Sequence, residues 1–472
     1  MRKTVSRLIL LGVAATLLLL AQPVSSQGDI PIIADLGPSD GSGQAHEVNN
    51  QGHVVGSHEP PGTGATHFLW SAENGWLELE RRGYTGAYVN EMRQVATTVY
   101  TDTTTANPLP IIYDGGEETM LGHLGGWRGL PRDINEKGEI AGDSLTADGE
   151  WHAFLWTPGG GIQDLRTLGG NRSRALSMND SAWVVGDSLT ADGDNHAFLW
   201  RDAAEGMTDL STLGGTYSRA LDVNNLGQVV GASRPETGDD HAFLWTADDG
   251  MIDLGTLGGS WSVASDISES GHVVGWSYTS GNAERHAFLW TAGGGMQDLG
   301  ALSGGTSFAE QVSNSGHVVG YSKLATGQTR AFFWTPGPGM IDLGTLPGGQ
   351  KGQAVDINEE WQVVGWSDIP TGEQHAVLWT VPNFPQLMRD MIAQIEGLLD
   401  DGLLKTGKAN ALVGKVENAS RLLDEGKIGP ACRQLEAFVN QVEAATKTGD
   451  LPEETGLELI DAANSIIGLF CE

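Results

Sequence analysis

The sequence predicts a mainly β chain: an eight-bladed β-propeller of four-stranded blades closed by an N-terminal strand, followed by a small C-terminal α-helical bundle. Three observations predict it. A phrase such as "DDHAFLWTADDGMIDLGTLGG", residues 239–259, returns at a near-constant period. Each copy breaks into four short segments bounded by Gly, Asn or Asp, too short for typical helices and rich in β-branched and aromatic residues. The strand missing from the last copy is present at the start of the array. Composition agrees, because 67 Gly and 15 Trp in 472 residues call for many tight turns around large, rigid packing groups.

Residues 1–26 read as a signal peptide. "MRKTVSR" is basic, "LILLGVAATLLLLA" is apolar, and "PVSSQG" offers small residues for cleavage near Ser26. The expected location is extracellular, at the cell surface or periplasmic. No second apolar run of membrane length follows, so no membrane span is expected after cleavage. The formal charge of −33, from 27 Lys and Arg against 60 Asp and Glu, repels nucleic acid and anionic lipid.

Residues 27–380 carry the repeat. The aromatics that end each "HAFLW" are Trp70, Tyr113, Trp156, Trp200, Trp245, Trp290, Trp334 and Trp379, at intervals of 43, 43, 44, 45, 45, 44 and 45. Such a period is propeller-like. In residues 216–259 the four segments are "RALDVN", "QVVGAS", "HAFLWT" and "MIDLGTL". The last copy stops after its third strand, whereas the chain near Ile30 begins "DIPIIADLG", a fourth strand without its first three. Residues 30–37 are therefore expected to pair with the strand around His375–Trp379, which leaves no open sheet edge.

The phrase "HAFLW…MxDLGTLGG", with "VVGxS" upstream, resembles the HAF-type extracellular repeat family of bacterial secreted proteins over residues 30–380. Copies one and two depart most: "THFLW" puts His67 one place late, and "LPIIY" lacks both His and Trp. The resemblance implies export and repetitive β architecture. It brings no reaction and transfers no catalytic residue.

Residues 381–385, "VPNFP", read as a linker, and residues 386–472 as a four-helix domain. Leu387, Met388, Met391, Ile392, Ile395, Leu398 and Leu399 recur at helical spacing, as do Leu412, Val413, Val416 and Leu422. Pro430 and Pro452 mark the starts of two further helices. If those two form a hairpin turning near Asp450, Cys432 and Cys471 lie side by side, and one disulfide is expected in an exported chain. This segment is loosely similar to helical domains at the C-termini of bacterial surface proteins.

The repeated histidines His152, His196, His241, His286 and His375 share one repeat position, which Arg330, Thr66 and Leu109 hold elsewhere. Ring symmetry puts them on separate blades, too far apart for one metal, so an inter-strand hydrogen bond or stacking is expected. The repeat tryptophans are expected to pack between blades, and Gly pairs such as Gly258 and Gly259 to allow positive φ. The acids Asp133, Asp222, Asp266 and Asp356, with Glu47, sit on the strand expected innermost. Bonding of each to its own following turn is expected. The acidic loops "TADGDN" and "TADGE" lack EF-hand spacing; a bound cation such as calcium is the one cofactor left open. "GPSDG" at Gly37–Gly41 matches GxSxG but precedes no helix, so it is no nucleophile elbow.

Residues just after the Gly pairs vary between copies. Trp127, Arg172, Tyr217, Trp261, Phe308 and Lys351 are expected to ring one mouth of the channel, and aromatics with Arg favour an interaction surface. The reading is a secreted or cell-surface binding module with no catalytic residue assigned, its partner an extracellular glycan, peptide or protein. The alternatives are an extracellular polysaccharide-acting enzyme with its site at the channel mouth and a purely structural envelope or matrix protein. The oligomeric state is left open.

Overall fold

The computed structural model describes residues 32–37, 41–62, 64–79, 86–100 and 107–471. The expected signal peptide and the expected cleavage position near Ser26 lie outside the described residues, as do the central three residues of "GPSDG".

One unit shows how the sequence makes a sheet. Its strands are Gly214–Val223, Val229–Pro235, His241–Thr246 and Gly250–Gly255. They pair antiparallel in chain order. Short turns join them, as in Asn224–Gly227, where the Gly227 N–H donates to the Asn224 carbonyl. The Gly of each "VVG" is needed for close approach: a Cβ on Gly231 would sit 2.0 Å from the Arg219 carbonyl oxygen of the inner strand. In the Gly pairs the first residue has positive φ, as at Gly214 (109°), and the second is pressed against the end of strand two.

Among the described residues, hydrogen bonding divides the strands into seven sheets, six of four strands and one of eight. Eight separate sheets are expected from the repeat count. The difference arises at one place. The four-stranded meanders beginning at Gly169 and Gly214 touch through a single parallel pair, Asn195 with Tyr217. There the Asn195 Nδ2 also donates to the Ser218 carbonyl.

The core lies between neighbouring sheets. Val185, Ala197, Leu199 and Leu210 of one unit pack against Ala220, Val223, Val229 and Phe243 of the next. The Phe of "HAFLW" is fully buried at Phe68, Phe154, Phe198, Phe243, Phe288 and Phe332. Its Trp packs across the same boundaries: Trp200 and Trp334 lie in inter-sheet clusters, with Trp245 and Trp290 at the edges of others.

The two ends of the array meet. Ile32–Asp35 pairs antiparallel with Gln374–Thr380, with Ile33 opposite Trp379 and Asp35 opposite Val377. The turns between strands one and two add a closed hydrogen-bond cycle. The Asn50 N–H donates to the Glu91 carboxylate, and equivalent N–H groups link Glu91 to Glu136, Asp180, Asn225, Glu269, Asn314 and Glu359 in turn. The Glu359 N–H then donates to Asn50 Oδ1. Each link is one unit long, so the cycle has eight members. A second set runs beside it: Asn49, Asn90, Asn135, Asn179, Asn224 and Asn358 each donate from Nδ2 to the next unit's carbonyl.

The C-terminal part is four helices: α1 Phe384–Asp400, α2 Thr406–Asp424, α3 Ile428–Lys447 and α4 Glu453–Phe470. Consecutive helices pack together and α1 also meets α4. Pro430 falls in the first turn of α3, where its missing N–H costs nothing. The Cys432–Cys471 disulfide joins the start of α3 to the end of α4, with Cα atoms 5.8 Å apart. The expected linker at 381–385 is a correction: Val381 and Phe384 are buried, and α1 starts at Phe384. The reason is docking. Trp361 lies against Phe384, which meets Phe470, and one apolar cluster runs from Val319 and Trp379 into all four helices. Trp361 takes φ of +60° in a turn where the equivalent residues include Gly52, Gly138, Gly227, Gly271 and Gly316.

Candidate functional site

The innermost strand of the 214–255 unit carries a bulge: Ala220 pairs with Gly231 and Asp222 with Val230, leaving Leu221 unpaired. The same irregularity recurs before Glu47, Asp133, Ser177, Asp266, Gln311 and Asp356. A bulge turns two successive side chains to one side. They line a central cavity of about 690 Å³, to which His46, Tyr88 and Arg132 also contribute.

The cavity acids do not bond their own turns as their main role. Each accepts from the backbone of the next unit: Val48 N–H to Asp356 (2.7 Å), Val89 to Glu47 (2.8 Å), Met178 to Asp133 (2.7 Å), Ile267 to Asp222 (3.0 Å) and Val312 to Asp266 (2.8 Å). Only Asp133 and Asp356 also accept from the residue that follows them. The bulge turns each acid toward the cavity and the neighbouring unit, whose N–H it meets in place of its own turn. Burial pushes the Asp133 carboxyl up to about 7 and Asp356 up to about 6. Burial also raises Glu47 and Asp266 well above the usual carboxylate range, with neighbouring acids adding to it. Among the described residues no three His, Cys, Asp or Glu side chains are grouped to hold a metal ion.

His46 stands 3.0 Å from Ser57 Oγ in this cavity, a pairing that resembles a nucleophile and base. The Ala87 N–H donates to its Nδ1, so the ring proton sits on Nε2 and points at the serine. That tautomer cannot take the serine's proton. Burial, then the nearby His67, lowers the His46 pKa to about 4.

The repeated histidines bond the acid of strand four in their own sheet. His152 Nδ1 is 3.0 Å from Asp164, and His196, His241 and His286 pair likewise with Asp209, Asp253 and Asp298. Arg330 keeps the pattern with Asp342. His375 pairs with Asp35, so the same contact joins the last strand to the first.

The residues after the Gly pairs do lie beside the loops between strands two and three. The Ser260 N–H donates to Asn282 Oδ1, and Gln328 donates to Gln350. The expected ring of six at this mouth is corrected in register. Arg172, Tyr217, Trp261 and Lys351 share one repeat position, each preceding the residue that pairs opposite Ser188, Ser233, Ser277 or Ser367. Trp127 lies one residue earlier and is 56% exposed. Phe308 lies two positions later than Trp261 in register, opposite Tyr321: it is the third residue after its Gly pair where Trp261 is the second, and the segment after Gly305 is one residue shorter.

That shift places Phe308 in an aromatic patch. Trp261 lies 5.9 Å from Trp276, Trp276 lies 5.9 Å from Phe308, and Phe308 stacks on Tyr321 at 4.9 Å. The Arg285 guanidinium sits 5.3–5.5 Å from the rings of Phe308, Tyr278 and Trp276. Trp261 is 38% exposed, and Trp276, Tyr278, Phe308 and Tyr321 are half-buried. Trp276, Tyr321 and Trp366 hold the variable position of "VVGxS", where other units carry Asp143, Asp187 and Ala232. That variation was the available signal for the patch. At the same mouth, Arg172 Nη2 is 3.4 Å from Asn195 Oδ1. Lys351 is exposed and places its N–H on Asp368.

In comparison with known proteins, residues 388–468, which span the four helices, match the family model described as the FIMAH domain. No curated protein matches the chain. Among solved structures, the chain is similar to TolB from Acinetobacter baumannii (11% identity, 67% of this chain and 76% of that one, TM-score 0.35). It is also similar to the β-propeller domain of the Trilobed protease from Pyrococcus furiosus (9%, 64% and 98%, 0.42). A third is Porphyromonas gingivalis dipeptidyl peptidase 4 (9%, 72% and 60%, 0.46). The chain is mainly β, with propeller-like sheets and four C-terminal helices, and no helix among the described residues is long and apolar enough to cross a membrane.

Proposed function

We propose that the chain is an exported binding protein that recognises an extracellular glycan, peptide or protein at the mouth lined by the Gly-pair segments. The observation that carries this reading is the patch of Trp261, Trp276, Phe308 and Tyr321 around Arg285. Flat rings with a guanidinium among them offer large contact area at small entropy cost, and Trp, Tyr and Arg are the residues that anchor interfaces.

We read the array as an eight-bladed ring, with the eight-stranded sheet counted as two blades. The eight-member hydrogen-bond cycle and the pairing of Ile32–Asp35 with the last blade support this. The eight in-phase copies support the HAF-type repeat resemblance. Export is supported by the apolar segment within residues 1–26 and by the Cys432–Cys471 disulfide. A binding role is favoured over a polysaccharide-cleaving one because the cavity carboxylates already accept backbone N–H groups.

The test is Trp261→Ala, screened with the wild type on glycan and peptide arrays. The expected outcome is binding weakened by about 1–3 kcal/mol with a nearly unchanged melting temperature, because a partly exposed ring contributes little to the core. A large loss of stability with binding unchanged would move the binding face to the opposite side, among turns such as Asn224–Gly227.

A further inference from the structure

Two buried carboxylates, at the repeat position that Trp276 and Tyr321 hold in later units, are surrounded by more positive charge than they need. Asp187 is fully buried and Asp143 is 1% exposed. Asp143 accepts from Arg132 Nε (2.9 Å) and from the Ala175 N–H (2.9 Å). Asp187 has Arg174 Nη2 at 2.8 Å, Arg219 Nε at 3.5 Å and Arg172 Nη2 at 3.8 Å. Four guanidiniums therefore face two carboxylates. Nearby Arg234 is already matched by Asp240 at 2.8 Å.

The surplus charge is presented to solvent. The side chains of Arg172, Arg174 and Arg219 are 34–42% exposed. Their Nε atoms and Asp187 Oδ2 are buried without a hydrogen-bond partner. A buried, fully neutralised ion pair needs one guanidinium per carboxylate, whereas further guanidiniums with an edge open to solvent suit an added oxyanion.

We propose that Arg172, Arg174 and Arg219 form an oxyanion-binding bay for an acidic polysaccharide. The bay holds a uronate carboxylate or a sulfate ester while the following sugar rings lie on the aromatic patch. This rests on the binding reading above and names its ligand class. The placement supports it: Arg172, Tyr217 and Trp261 occupy the same repeat position on three successive units, so the bay and the patch lie on the same side of the array with Tyr217 between them. The charge balance selects against a dense polyanion. Within a Debye length of about 8 Å of its surface the field of an acidic protein repels one, whereas a chain of mostly neutral rings with spaced acidic groups is accepted. An acidic peptide lacks the ring faces that the patch stacks.

The experiment is calorimetric titration of the full mature chain with four probes: an oligogalacturonate, a sulfated galactan oligosaccharide, a neutral galactan oligosaccharide and an oligoglutamate peptide. At least one acidic saccharide is expected to bind about tenfold or more tighter than the neutral one, with affinity falling as salt rises. Which of the two binds identifies the oxyanion. Arg219→Ala is expected to remove about tenfold of that affinity at unchanged melting temperature. If it also lowers the melting temperature, Arg172→Ala, the most exposed of the three, supplies the comparison, and loss of the acidic preference there supports the bay. Equal binding of neutral and acidic saccharides, abolished by Trp261→Ala, overturns the bay and leaves the binding face standing. Tighter binding of the peptide, or an acidic preference untouched by either arginine variant, also overturns the bay. No binding of any probe overturns it too, and the array screen then decides the binding face separately.

Discussion

Trp361 is predicted to be a position where glycine is better tolerated than alanine. The indole is 4% exposed and lies 4.2 Å from His317, 5.4 Å from Phe333 and 5.8 Å from Phe384, between centroids. Removing a buried Trp side chain costs about 3–5 kcal/mol. The backbone has φ of +60°, a conformation that costs an L-residue about 1–2 kcal/mol and glycine nothing. Trp361→Ala loses the packing and keeps the strain, so a loss of about 3–5 kcal/mol is expected. Trp361→Gly loses the same packing but is relieved of the strain. Its greater unfolded-state freedom returns about 0.5–1 kcal/mol of that relief. The Gly variant is therefore expected to be the more stable by about 0.5–1 kcal/mol. Scanning calorimetry of both variants reads the difference, and proteolysis between residues 381 and 385 reports whether the helices have come loose. A Gly variant less stable than the Ala variant would refute the backbone argument. A loss under about 1 kcal/mol in both would refute the claim that Trp361 anchors the helices to the last sheets.

Burial raises the folded-state pKa of Asp133 to about 7 and of Asp356 to about 6, above an unfolded value of about 4. The folded state holds these protons more tightly, so their stabilising effect is complete below about pH 4 and is lost as pH rises through 6 to 7. Melting temperature is expected to fall between pH 5 and 8, and the double variant Asp133→Asn, Asp356→Asn to flatten that slope; an unaltered slope would show that other groups govern it. Starting the chain at Gly41 removes the strand Ile32–Asp35 and the Asp35–His375 contact, leaving Gln374–Thr380 as an open edge. A melting temperature lower by about 5 °C or more is expected, and a truncated form that melts like the parent would mean the terminal strand does not close the ring.

The repeat was legible because its signals are local. "HAFLW" sends alternate side chains to the sheets on either side, Phe198 and Trp200 to one and Ala197 and Leu199 to the other, and the Gly-bounded turns mark each strand end. The complementary array ends were enough to pair residues 30–37 with the last strand. The helices were legible from spacing, and the cysteines from their places at the two ends of a hairpin. The mouth was read less well. Phe308 stands one place further from its Gly pair than Trp261, and one deleted residue moves it a second place in register. The channel acids were assigned to their own turns because a bulge leaves no mark in one strand's sequence. "VPNFP" has the composition of a linker, and nothing local shows that Phe384 will be buried.

The sequence by itself determined the strand order, the period, the closure and the helical tail, because each depends on residues a few positions apart or on a pattern repeated at a constant interval. Only the tertiary structure decided what meets across units. Arg174 and Arg219 come from different inner strands to share Asp187, Arg285 enters a patch built by Trp276 and Phe308, and Trp361 meets Phe384. Such contacts depend on the angle and register between neighbouring sheets, set by bulges and by packing at the Phe and Trp of every repeat. A shift of one residue there turns a side chain to the other face, which no count along a single strand can reveal.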